Sequence, residues 1–293
     1  MSFRTTLFLL ACLLVLAVSY AFVRSNHQSP ASQRELFSSA MLDEVKDIRL
    51  IRSEEEPLQL KKEGESWLIQ DFPADEVLVE QLLDQLAGQE RGQQVSRNPD
   101  NWGQYGVMDG AQEMVIVDPA GKERRLVFGV PAPGGLYYLR YDDQPEVYVA
   151  RTELLGAFRS DLDRWREKHM LPSDLVPVSL TSRIGDERWM FEKQEGEWVY
   201  LNGEEVVELD QEIFDGYWNS LSSLKASGFE PDGSLFVSAD NALSVTAESG
   251  EEYVISIDVL DDGVVALVTG FTELLRLGSD MASRLRPGFL EQD

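Results

Sequence analysis

The stretch "LKKEGESWLI" at residues 60–69 and the stretch "FEKQEGEWVY" at residues 191–200 are nearly the same phrase. In each, apolar residues alternate into a polar turn holding one glycine, and a tryptophan opens the return. Alternation broken by a short glycine turn is the pattern of a β-hairpin. Trp67 and Trp198 stand 131 positions apart, and the turn glycine, Gly64 or Gly196, is displaced by one residue between them. A repeated hairpin raises the question of whether its surroundings repeat as well.

Upstream of the first hairpin, "VKDIRLI" (45–51) alternates as a strand. Downstream, "DFPADEVLVEQLLDQLAGQ" reads as an amphipathic helix. Asp75 suits its N-cap, Glu76 its positive end and Gly88 its stop. Leu78, Val79, Leu82, Leu83 and Leu86 recur at helical spacing. A loop, "VSRNPDNWGQYGVMD", follows. About four strands come next, with tight turns at 119–121 and 142–145. A closing helix is expected over "RTELLGAFRSDLDRWREKHML", with Thr152 as cap and Leu155, Phe158, Leu162 and Trp165 as its stripe. On that helix Arg159 and Asp163 have attractive i,i+4 spacing.

The second half replays this order. "PVSLTSR" matches the opening strand, and Asp210 stands where Asp75 stands. Ile213, Tyr217, Trp218 and Leu221 supply the helical stripe. "LSVTAESGEEYVISI" (243–257) tracks "MVIVDPAGKERRLVF" (114–128) without a gap, and "LLRLGSDMASRLR" echoes "VYVARTELLGAFR". Matched order through a whole unit points to internal repetition. The expected fold is α+β: two tandem related repeats, each a mostly antiparallel sheet with a packed helix. The expected division is an anchor at 1–24, a polar tether at 25–40, a first repeat at 41–171 and a second, divergent repeat at 172–293.

Residues 7–23, "LFLLACLLVLAVSYAFV", form an uncharged run just long enough to cross a hydrocarbon core. Arg4 and Arg24 flank it, so its charge asymmetry is weak. Three readings compete: a cleaved signal ending near Ala21, a lipoprotein acylated at Cys12, and an uncleaved transmembrane anchor. Apolar residues continue past both candidate processing points, which favours the anchor. The serine-rich segment that follows reads as a tether and contains His27.

The chain carries 52 acidic and 26 basic residues, a formal net charge of −26. Residues 172–293 hold 25 acids against 7 bases. Such a surface repels nucleic acid and anionic lipid. A solvated, salt-adapted surface and a docking face for a basic partner both fit it. Cys12 is the sole cysteine, so no disulfide can form within the chain.

Catalytic chemistry finds little support. His27 and His169 are the only histidines, and no G-x-S-x-G elbow occurs. The glycine-rich "GVPAPGG" (129–135) lies between strands and lacks the lysine of a phosphate loop. "DVLDDG" (258–263) reads as a hairpin turn rather than a calcium loop. Asp71, Asp75 and Glu76 read as helix-start residues rather than a carboxylate pair. No catalytic, cofactor-binding or metal residue is therefore assigned. The one candidate ligand or partner surface is aromatic: Tyr105, Tyr138, Arg140 and Tyr141.

Trp67, the "FPAD" of residues 72–75 with its leucine-rich helix, Val95 and Ser96, "YGV" at 105–107, "YLR" at 138–140 and "VYVA" at 147–150 occur in an order that resembles the bacterial domain-of-unknown-function 4340 family. The likeness spans about residues 45–170. The second half lacks the FPAD, YGV and YLR elements. The resemblance implies a single-span envelope protein; the anchor reading adds the expected place, the bacterial cytoplasmic membrane with the C-terminal part in the periplasm. The resemblance also implies a setting near ABC-transporter or gliding-type auxiliary components, and it supplies no catalytic residues. The expected role is that of a non-catalytic interaction or accessory module with an envelope protein partner. The alternative is an exported ligand-binding protein or hydrolase using a cleft between the repeats.

Overall fold

The computed structural model describes residues 36–52, 55–118, 120–261 and 263–291. The anchor at 1–24, most of the tether with His27, and Pro119 of one expected turn lie outside them. Among the described residues, no helix is long and apolar enough to cross a membrane.

Contacts divide the chain after Arg166. The sequence suggests a boundary after Leu171, but Met170 and Leu171 are buried in the second core. Arg166 instead belongs to the first unit, where it bridges to Ala74 and lies over the Phe72 ring at 3.8 Å.

The first unit contains β1 (Asp47–Ile51), β2 (Leu58–Glu63), β3 (Ser66–Ile69), β4 (Phe72–Pro73), β5 (Gln93–Ser96), β6 (Gln112–Val117), β7 (Glu123–Ala132), β8 (Leu136–Tyr141) and β9 (Val147–Ala150). They form one antiparallel sheet in the order β4-β3-β2-β1-β6-β7-β8-β9-β5. The second unit contains β10 (Pro177–Ile184), β11 (Glu187–Gln194), β12 (Glu197–Asn202), β13 (Glu205–Glu208), β14 (Gly228–Glu230), β15 (Asn241–Ala247), β16 (Glu252–Leu260), β17 (Gly263–Val268) and β18 (Leu274–Leu277). Its order, β13-β12-β11-β10-β15-β16-β17-β18-β14, repeats the first position by position. The protein is therefore α+β with two nine-stranded antiparallel sheets.

Two connections in each unit are not hairpins. A helix carries the chain from one sheet edge to the other: Glu76–Ala87 in the first unit, Gln211–Ser222 in the second. A loop then returns from the edge strand to the middle of the sheet. The helix packs on one face and builds the main core. In the first unit Val79, Leu82 and Leu86 meet Ile48, Leu60, Met114 and Leu139 there. The loop crosses the opposite face over Val127 and Val147.

The β2–β3 and β11–β12 hairpins lock onto these helices by the same bond. Asp75 and Asp210 cap the helices, each accepting an N–H from the first turn. The next residue reaches back to the hairpin: Trp67 N–H donates to Glu76 Oε1 at 2.8 Å, and Trp198 N–H to Gln211 Oε1 at 2.9 Å. Both tryptophans are buried, and Trp198 stacks on Phe214 at 4.6 Å. A backbone donor beside a buried indole has no water to bond, so the helix side chain satisfies it.

Several expectations are corrected. Phe214, not Ile213, holds the second helix in its core; Ile213 is 50% exposed. The closing helix is two single turns, Leu155–Phe158 and Leu162–Trp165. Asp161 breaks it by capping the second turn through the Arg164 N–H at 2.9 Å. Asp163 consequently pairs with Arg166 at 3.6 Å rather than with Arg159. The loop after the first helix contains the edge strand β5 and a short helix, Trp102–Tyr105. Residues Gly129 to Ala132 belong to β7 itself.

Candidate functional site: the loop face of the first unit

Strand β8 reads "LYYLRY", and its alternation divides the expected site. Tyr138 and Arg140 point to the loop face, and Leu139 and Tyr141 to the helix face. Tyr141 therefore takes no part in a common surface with the other three. Its ring is buried, and its hydroxyl donates to the Arg91 carbonyl at 2.7 Å. Burial pushes its pKa far above the ordinary phenol value.

Tyr105, Tyr138 and Arg140 do come together. The loop ends its short helix at Gly106, whose φ of 69° is left-handed and turns the chain toward the sheet. Tyr105 then packs on Tyr138 with ring centroids 4.7 Å apart and the rings tilted by 50°. Gly129 of β7 sits beneath, and a Cβ there would overlap the Tyr105 carbonyl and lie 2.7 Å from Val107 Cγ1. The glycine admits the loop backbone to the sheet surface.

Arg140 clamps the loop in place. Only 2% of this arginine is exposed. Its Nε donates to the Val107 carbonyl at 3.0 Å and one terminal nitrogen to the Asp142 carbonyl at 3.2 Å. The Trp102 ring covers the guanidinium at 4.1 Å. The other terminal nitrogen lies 3.5 Å from a carboxylate oxygen of Asp109, whose side chain is 93% exposed. So the YGV and YLR segments, 33 residues apart, form a single clasp. The sequence shows both segments but not their contact; Trp102, Asp109 and Gly129 enter the site only with the structure.

A buried cation requires compensation. Register supplies it: Glu113 pairs with Val127, and Val127 with Arg140, so all three share the face. Glu113 is 7% exposed and lies 3.5 Å from Arg125 Nε. Burial raises its carboxyl pKa above the ordinary value, against the opposing pull of Arg125 and Arg140.

The remaining candidates fall elsewhere. His169 belongs to the second unit, where its ring lies 2.8 Å from Glu167 and its backbone bridges to Lys225. Asp258 stands in β16, not in a turn, and accepts N–H bonds from Val237 and Ser238. Among the described residues, no group of three or more His, Cys, Asp or Glu is placed to share a metal ion.

A duplicated nine-stranded antiparallel sheet, crossed by a helix on one face and a loop on the other, is the class of architecture these features define. The family model described as a domain of unknown function (DUF4340) matches residues 69–244. The chain belongs to that family. No curated protein matches it.

Proposed function

We propose that the chain is a single-span membrane protein of the bacterial cell envelope, anchored through residues 7–23, with two tandem repeats of one unit on the periplasmic side. It acts there as a non-catalytic interaction or accessory module, in the setting of an ABC-type transporter or an envelope assembly. The uncharged N-terminal run and the family membership support the placement. One observation carries the role. The Nε donor of Arg140 and the ring faces of Tyr105, Tyr138 and Trp102, which a ligand could use, are spent on fixing a loop. That loop presents Met108 at 55% exposure, and Val130 of β7, 45% exposed, lies against its Gly106. Exposed apolar side chains on a rigid support suit a protein partner.

The test is cross-linking of the full-length protein in intact cells, followed by recovery of the adduct. A photoreactive residue replacing Met108 is expected to capture an envelope protein. The same probe at Glu204, on a turn of the second unit, serves as the comparison. No adduct at Met108, or equal capture at both positions, overturns the role. A reporter fused at the C-terminus tests the placement, and cytoplasmic activity there overturns it.

A further inference from the structure

On a chain with twice as many acids as bases, a site of positive sign stands out. The first unit holds a cavity of about 340 Å³ bordered by Leu36, Ser38 and Met41, and by Arg91, Arg124 and Tyr141; three arginines and one carboxylate, Asp142, lie on its wall. Arg91 is its unusual member. The guanidinium lies 5.6 Å from the ring centroids of both Tyr141 and Tyr148. Its Nε is buried without a hydrogen-bond partner, and no carboxylate among the described residues pairs with it. Arg124 brings a second guanidinium, 41% exposed, with Nη1 3.4 Å from Asp142 and Nε 3.8 Å from Asp118, which leaves its other terminal nitrogen open. The Ser38 hydroxyl accepts the Met41 N–H at 3.3 Å and keeps its own proton to donate. Arg125 also borders the cavity, with its Nε 3.5 Å from the buried Glu113.

We propose that this cavity binds the phosphate of a small phosphorylated molecule, a phosphate ester that is either free or part of a glycerophospholipid headgroup. An arginine set beside aromatic rings presents a planar fork that suits bidentate oxyanion binding. A carboxylate would be satisfied by Arg91 alone, whereas a phosphate has oxygens left for Arg124 and Ser38. The volume is about eleven times that of a water molecule and falls in the range of small-ligand sites. A bare phosphate would leave most of it unfilled, so the half-buried Leu36 and Met41 face the organic part. The free-ester source stands on this geometry alone. The lipid source also rests on the anchor reading, which puts a bilayer within tether reach of Leu36.

The probe is sn-glycerol 3-phosphate, titrated calorimetrically into the full-length protein in maltoside micelles, which contain no phosphate. Saturable binding is expected, weakened about tenfold or more by Arg91→Gln and about threefold by Arg124→Gln, each lost charge-assisted contact accounting for the change. Arg97→Gln, at an exposed arginine outside the cavity, is expected to bind as the wild type does. No binding at millimolar probe, or equal loss in Arg97→Gln, overturns the proposal. Repeating the titration in phosphatidylglycerol nanodiscs names the source. A weaker apparent affinity there means that lipid already occupies the cavity; an unchanged affinity means a free ester. The topology reporter reads the anchor separately, so failure of one reading does not mask the other.

Discussion

The two units cross the same sheet face by different means. In the first, the loop lies directly on the sheet because Gly129 makes room, and Arg140 holds it from below. In the second, Asp258 occupies the position of Gly129, one residue past the matching pairs Gln112–Phe128 and Asn241–Ile257. A loop cannot rest on an aspartate, but it can hang from one. The carboxylate takes the N–H groups of Val237 and Ser238 at 2.8 and 3.1 Å. Register places Leu267 opposite Ser256, where Arg140 stands opposite Val127, and Leu267 is 46% exposed. One clasp uses a cation and backbone carbonyls; the other uses an anion and backbone amides. The YGV and YLR segments are absent together from the second half because each has a purpose only when the other is there.

This contrast can be broken at four points. Arg140→Leu writes the second unit's residue into the first. It frees the Val107 carbonyl and removes the pull of a buried cation on Glu113, which keeps Arg125. The expected cost is about 3–4 kcal/mol, with hydrogen exchange accelerated over residues 102–111. A loss below about 1 kcal/mol in denaturant unfolding would mean that the clasp is dispensable. Gly129→Ala pushes the loop off the sheet and should cost about 2–3 kcal/mol by overpacking, with exchange rising in the same segment. Asp258→Ala leaves two amides without their acceptor, at about 2 kcal/mol. Its exchange signature should fall on residues 232–240 and leave 102–111 unchanged; a spread across both units would contradict the separate clasps.

The smallest effect is one of pH. The folded first unit raises the Glu113 carboxyl above its ordinary value. The native state thus keeps its proton longer than the unfolded chain, and stability falls as pH rises from the ordinary carboxylate range toward the raised value. Glu230 in the second unit behaves in the opposite sense. The Asp232 N–H first, and then Arg276, hold its pKa below the ordinary value. Its contribution is present above that value and is lost as pH falls. Glu113→Gln should remove the first slope and Glu230→Gln the second. Unfolding curves between about pH 2 and 7 would reveal whether the two differ in sign.

What the sequence discloses follows from how local each signal is. The hairpins, the Asp75 and Asp210 caps and the leucine-rich helix depend on neighbours within a few residues, and they read directly. The closing helix misled because a continuous apolar stripe hides the competing bond from Asp161. Strands β5 and β14 escaped because they earn their place only by pairing with β9 and β18, more than forty residues on. Within the site, the aromatic-rich sequence groups Tyr141 with Tyr138 and Arg140, although the alternation of β8 puts it on the other face. The partner of Arg140 was not legible, since a backbone carbonyl at Val107 leaves no mark in residue identity.

The brevity of the outermost strands has a consequence of its own. A chain that encodes one strand order twice risks trading strands between its halves, or with another molecule, while it folds. Such exchange begins at an open edge that offers a long row of unpaired amides. Here β4 spans two residues and one is Pro73; β14 spans three and ends in the buried Glu230; β13 is bracketed by Glu205 and Glu208. Short, charged or proline-bearing margins leave little to template on, so each half is steered toward completing its own sheet.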